Sequence, residues 1–185
     1  MKKQLQKILF LLFLSGCMMA PVNHFESYFQ PQKKYQIPFQ KVILTDDLKM
    51  VDSAHHVGNK LSQSPVQIVQ NWADKSLVTT PDVPHDLQLV LHQSEIVRQE
   101  FPAEYWWQFD FIQDTLYYDI ELIQRDKDKN INRSNFGGKV FVKMNKKSSL
   151  AEKEKQWATL YHQMLQHLEN EISKIPHVIP LTSQD

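Results

Sequence analysis

Residues 115–125, Thr115-Leu116-Tyr117-Tyr118-Asp119-Ile120-Glu121-Leu122-Ile123-Gln124-Arg125, decide the fold. Leu116, Tyr118, Ile120 and Leu122 alternate with Tyr117, Asp119, Glu121 and Ile123, the period of two that sends successive side chains to opposite faces of a strand. To its N-terminal side, residues 86–95 repeat the pattern, with Leu87, Leu89 and Leu91 set against Gln88, Val90 and His92, and Ile96 and Val97 continue that strand past a bulge. To its C-terminal side, residues 126–135 read as a charged polar turn. Val140, Val142 and Met144, separated by Phe141 and Lys143, then form a third strand in succession.

Helices flank this block. Ser64-Pro65-Val66-Gln67 combines an N-cap serine, a proline at the first helical position and a glutamine at N3, and Val66, Val69, Trp72 and Ala73 share one face as far as about Leu77. Pro81 and Pro84 lie in the connection that follows. Ser149-Leu150-Ala151-Glu152 is a second capping box, and Trp157, Tyr161, Met164, Leu165, Leu168, Ile172 and Ile175 recur every three or four residues, a helix of about seven turns ended by Pro176. Upstream, Val42, Ile43 and Leu44, stopped by Asp46 and Asp47, predict a buried strand over residues 39–45. The order strand, helix, strand, strand, strand, helix predicts an α+β, two-layer sandwich: a mixed four-stranded sheet with two helices on one face. The domain spans residues 35–176, and residues 177–185 read as a loose tail.

The N-terminus decides where this domain works. Lys2, Lys3 and Lys7 precede an apolar run from Ile8 to Leu14, about half of the roughly 20 residues that cross a bilayer, so an export signal over residues 1–16 is the better reading. The run ends in Leu14-Ser15-Gly16-Cys17, which resembles the lipobox of bacterial lipoproteins, and Cys17 is the only cysteine of the chain. The resemblance implies cleavage before Cys17 and covalent attachment there of diacylglycerol and an N-acyl chain such as palmitate. Because each buried methylene contributes about 0.8 kcal/mol, several acyl chains anchor permanently where one would not. Residues 17–34, with Pro21 and Pro31, form the lipidated tether. Met18 stands where an aspartate is associated with inner-membrane retention, which implies the periplasmic face of the Gram-negative outer membrane.

Composition closes several functional classes. Removing the first 16 of 185 residues leaves 18 basic residues against 21 acidic, a formal charge near −3, which offers no polycationic surface for nucleic acid. Without a second cysteine the body has no disulfide and no cysteine catalysis. Gly58, Gly137 and Gly138 are the only mature glycines, too few for a phosphate-cradling loop. No G-x-S-x-G elbow is present, and the acid pairs Asp46-Asp47 and Asp126 with Asp128 sit in turn-like contexts. His162 and His167 are five apart and do not share a helix face, so neither they nor His55-His56 predict a metal site.

Lipobox, tether and a body of this order are together similar to lipopolysaccharide-assembly lipoproteins and to the auxiliary lipoproteins of ABC-type lipid transport. That similarity is architectural and transfers no residue role beyond the lipobox. It implies a non-enzymatic accessory component of an envelope transport or assembly system, with a membrane and an envelope protein as partners and no cofactor or metal. An alternative is a small lipid-binding module, with Trp72, Trp157 and the aromatic segment lining a groove between sheet and helices for an acyl chain. That segment, Phe101-Pro102-Ala103-Glu104-Tyr105-Trp106-Trp107-Gln108-Phe109-Asp110-Phe111, is the most unusual local feature. Tyr105, Trp106, Trp107 and Phe109 are candidate contacts for a partner or lipid, because aromatics give large apolar area with few rotors to freeze. The other reading, that alternating Trp107, Phe109 and Phe111 pack on the core as a strand, stays open. Lys139, Lys143, Lys146 and Lys147 either meet anionic headgroups or protect a sheet edge.

Overall fold

A computed structural model describes residues 33–48, 55, 57, 61–105, 109–126 and 129–181. The elements are β1 (Lys34–Gln36), β2 (Lys41–Asp46), α1 (Pro65–Ser76), β3 (Leu77–Val78), β4 (His85–Phe101), β5 (Phe111–Asp126), β6 (Lys129–Asn145), α2 (Leu150–Ser173) and β7 (Ile179–Leu181). The fold is the expected α+β sandwich. Its main sheet has the order β2-β4-β5-β6, mixed because β2 runs parallel to β4 while the β4-β5 and β5-β6 pairs are antiparallel.

A bulge keeps the hydrophobic face of this sheet continuous. In β4 the odd-numbered Leu87, Leu89 and Leu91 face the core, the last two opposite Leu122 and Ile120 of β5. The register slips between Leu91 and Gln93, so His92 is the extra residue and the inner set becomes even-numbered: Ser94 opposite Tyr118, Ile96 opposite Leu116, Arg98 opposite Asp114. Without that extra residue, Ile96 would turn to the other face.

Both helices lie on this inner face. Ile68, Val69 and Trp72 of α1, with Trp157, Leu160, Tyr161, Met164, Leu165, Leu168 and Ile172 of α2, join the leucines of β4 in one core. Both predicted capping boxes form: Ser64 Oγ accepts from the Gln67 N–H while Gln67 Oε1 accepts from the Ser64 N–H, and Ser149 and Glu152 repeat the exchange. At the exposed Glu152 these bonds from Ser149 hold the carboxyl below its usual range. Among the described residues no helix is long and apolar enough to cross a membrane.

The structure corrects the sequence reading at three places. The stretch 126–135, expected as a turn, belongs mostly to strand, since β5 ends at Asp126 and β6 begins at Lys129. Polar residues misled there because β6 is an edge strand, where solvated side chains on a ladder lose nothing. The tail is not loose: Ile179–Leu181 pairs antiparallel with β1, which pairs parallel with β3, so a second, three-stranded sheet of order β3-β1-β7 forms. Lys34, read as the last tether residue, begins that sheet. Three residues or fewer per strand leave no readable period, and the sheet exists because Tyr35, Ile37 and Leu77 are buried beside the helices.

Candidate functional site

The β4–β5 hairpin carries the aromatic segment at its tip. Pairing continues to the last pair, Phe101 opposite Phe111, whose rings stack at 4.7 Å and 9°. Pro102 ends the strand because it has no N–H to donate to a ladder. Two bonds from Asp110 fix the described part of the loop: its Oδ1 accepts from the Ala103 N–H at 2.9 Å and its carbonyl accepts from the Lys146 N–H at 3.0 Å. Lys146 Nζ also donates to Glu100 Oε2 at 2.5 Å. That bond pushes the Glu100 carboxyl down and the Lys146 ammonium up from their ordinary pKa values.

The resulting hollow, about 650 Å³ in volume, is lined by Phe101, Pro102, Ala103, Glu104, Phe109 and Phe111. Phe109 is 73% exposed and Tyr105 53% exposed. Phe109 therefore does not pack on the core, whereas Phe101 and Phe111 are half-buried strand residues. Trp106 and Trp107 lie outside the described residues, as do Cys17 and the lipobox residues Leu14, Ser15 and Gly16. Lys143 places its ammonium 5.3 Å from the centre of the Phe111 ring, a cation-π contact at the rim of the hollow. Phe141, on the same face two residues back along β6, is 58% exposed.

Polar groups that sequence reasoning did not single out lie behind the tip. Arg98 donates twice to Asp114, Nε to Oδ1 at 2.8 Å and Nη2 to Oδ2 at 2.7 Å, and Trp157 Nε1 donates to the same Oδ2 at 2.6 Å. Asp114 is wholly buried, and its hydrogen bonds hold the Arg98 guanidinium above its usual pKa. The available signal was a carboxylate at the inward phase of a strand, two residues before Leu116. Farther along, the buried Tyr118 hydroxyl is hydrogen-bonded to His167 Nδ1, and burial raises its pKa. Tyr161, fully buried, is raised further by desolvation, which outweighs its 3.4 Å bond from Ser94 Oγ. His92, the bulge residue, bridges Asp47 Oδ2 at 2.8 Å and Glu121 Oε2 at 3.2 Å, and the Asp47 bond raises its pKa. Each of these groups is engaged in holding strands and helix together.

Of the other residues named from the sequence, Trp72 and Trp157 are core, 3% and 1% exposed. Their indole N–H groups are spent on Glu169 and Asp114, and they fill the layer between sheet and helices. His162 meets Gln166 on the exposed side of α2, while His167 turns to Tyr118, so these two histidines do not converge. Among the described residues no group of three His, Cys, Asp or Glu side chains is placed to hold a metal ion.

No protein-family model matches the chain, and no curated protein sequence matches it. Solved structures with a similar backbone include a minor lipoprotein from Acinetobacter baumannii, 11% identical over 78% of this chain and 97% of that one, with a TM-score of 0.41. A Xanthomonas campestris protein of the DUF330 family is 9% identical over 75% of this chain and 85% of that one, with a TM-score of 0.42. A neuraminyllactose-binding hemagglutinin homologue from Helicobacter pylori is 11% identical over 78% of this chain and 90% of that one, with a TM-score of 0.35.

Proposed function

We propose that the chain is a non-enzymatic lipoprotein, anchored through acylated Cys17 to the periplasmic face of the outer membrane, that binds another component of an envelope system moving or assembling lipid or lipopolysaccharide. The lipobox Leu14-Ser15-Gly16-Cys17 supports the anchor. The observation that carries the binding role is the tip of the β4–β5 hairpin, where Phe109 and Tyr105 are exposed on a loop that Asp110 fastens at both ends. A loop whose backbone is fixed at its described ends before a partner arrives loses less entropy on binding than a free one. The groove reading is less well supported, since Trp72 and Trp157, its proposed walls, are packed in the core.

Metabolic labelling with an alkyne palmitate, followed by membrane fractionation and partner identification after crosslinking, tests this. The natural chain is expected to take the label and sediment with outer membranes, and Cys17→Ser to do neither. An unlabelled natural chain, or a turnover detected with the purified protein, would remove the proposal.

A further inference from the structure

We infer that the free edge of β6 takes up an extended segment of another protein as a fifth strand of the main sheet, and that this segment sets carboxylates beside Lys139 and Lys143 and an apolar side chain beside Phe141. The edge is separate from the hairpin tip and depends on neither that loop nor the lipid anchor.

Pairing with β5 decides which backbone groups are free. From Gln124 opposite Asn132 to Phe111 opposite Asn145 the register runs without a shift. In its continuation the Lys146 N–H donates to the Asp110 carbonyl at 3.0 Å, so the even-numbered residues of β6 are the ones that exchange bonds with β5. The odd-numbered residues from Arg133 to Lys143 therefore turn N–H and C=O away from the sheet. Among the described residues no strand lies on that side of β6, and no group outside β5 is bonded to those backbone atoms. About 35 Å of ladder is left open.

Side chains along this edge set the chemistry of the occupant. The odd-numbered residues also carry the side chains of the helix-free face, where Phe141, 58% exposed, stands between the exposed Lys139 and Lys143. Arg133 is taken by Glu121 at 3.4 Å, whereas among the described residues no carboxylate forms an ion pair with Lys139 or Lys143. β6 itself contains no Asp or Glu, and Asp119 and Glu121 lie one strand inward, opposite Gly137 and Asn135 rather than the lysines. On the helix side Phe136, Val140 and Val142 are only partly buried against the core, so apolar residues at the alternate positions of an added strand extend that core.

An added strand brings its side chains to about 5 Å from those of β6, where opposite charges and apolar pairs stabilise and like charges oppose. A second copy offering its own β6 brings further cations and no carboxylate. An anionic headgroup meets the lysines but supplies no alternating donors and acceptors to the backbone. An acidic strand satisfies both, so lysines that keep like edges apart also select the partner.

The test places a photoreactive phenylalanine analogue at position 141, and separately at position 135, of the full chain in cells, and maps the adducts by mass spectrometry. Both positions are exposed, so the melting temperature of the purified chain is expected to be unchanged. The expected result is adducts to a carboxylate-bearing segment of another protein, the two positions marking sites about six residues apart along it, as strand pairing requires. Combining Lys139→Glu with Lys143→Glu is expected to lower the yield about five- to tenfold. Adducts from the two positions on unrelated segments would overturn strand addition, and yields indifferent to the lysine reversals would overturn the partner chemistry. Adducts to lipid, adducts to a second copy of the chain, or none at all would overturn the inference as a whole.

Discussion

Trp157 of α2 donates its indole N–H to Asp114 of β5 at 2.6 Å, on the carboxylate oxygen that also accepts from Arg98 of β4. One wholly buried carboxylate thereby joins the two hairpin strands to the helix just behind the hairpin tip. The Arg98 guanidinium lies 5.9 Å from the Trp157 ring centre, so the charge is faced by an aromatic surface as well as by its counter-ion.

Breaking this pair is expected to be costly. Asp114→Ala leaves a largely buried guanidinium without its counter-charge and an indole N–H without its acceptor, a loss of about 3–5 kcal/mol in urea denaturation. Replacing Arg98 with Met and Asp114 with Leu together is expected to cost less than Asp114→Ala alone, since no uncompensated charge remains. A double variant as unstable as the sum of the singles would show that the two residues are not coupled.

Gly138 lies opposite Tyr118 in the β5–β6 ladder, and a Cβ built on it would stand 2.6 Å from the Tyr118 hydroxyl and 3.0 Å from Cζ. The tyrosine ring is buried and bonded to His167, so it has nowhere to swing. Gly138→Ala is expected to destabilise by about 1–3 kcal/mol, the usual range for overpacking. It should also make Tyr118→Phe cheaper than in the natural chain, because the hydroxyl bond is already lost. Thermal denaturation of the three variants checks both points.

His92 gives stability a pH dependence of definite sign. Its pKa in the folded protein is raised, first by the hydrogen bond to Asp47 and then by that to Glu121, with Asp119 adding to the attraction and burial opposing it. Arg133, 3.4 Å from Glu121, competes for the same carboxylate. A raised folded pKa means that the charged ring stabilises the fold fully below the unfolded value of about 6.5 and that this contribution is lost as pH rises through the folded pKa. Comparing His92→Gln with the natural chain, the stability difference should shrink as pH rises from the unfolded value of about 6.5 through the raised folded pKa. A difference that grows with pH would contradict the arrangement.

Phe109→Ser is expected to change stability by less than about 0.5 kcal/mol, as at other exposed positions, while lowering recovery of the crosslinked partner. Trp157→Ala, in the core, should cost about 3–5 kcal/mol. Equal loss of stability in both would place Phe109 in the fold rather than at a binding surface.

The sequence by itself determined every element whose signal is local. Alternation over residues 115–125, the capping boxes at Ser64 and Ser149 and the period of α2 require only neighbours within a turn or a strand, so the α+β sandwich and the order of its four main strands and two helices were legible. The exposed tip was half legible: its aromatic content stood out, but alternation fits a buried strand as well as a hairpin end, and only the pairing of Phe101 with Phe111 puts Phe109 beyond the sheet. Tertiary structure alone decided the rest. The His92 bulge, the Arg98–Asp114–Trp157 junction, the seating of Tyr118 over Gly138 and the sheet that Ile179–Leu181 completes all join residues far apart in the chain. Such contacts leave no period to read, because whether a buried charge or a two-residue strand is stable depends on which partner the fold brings against it.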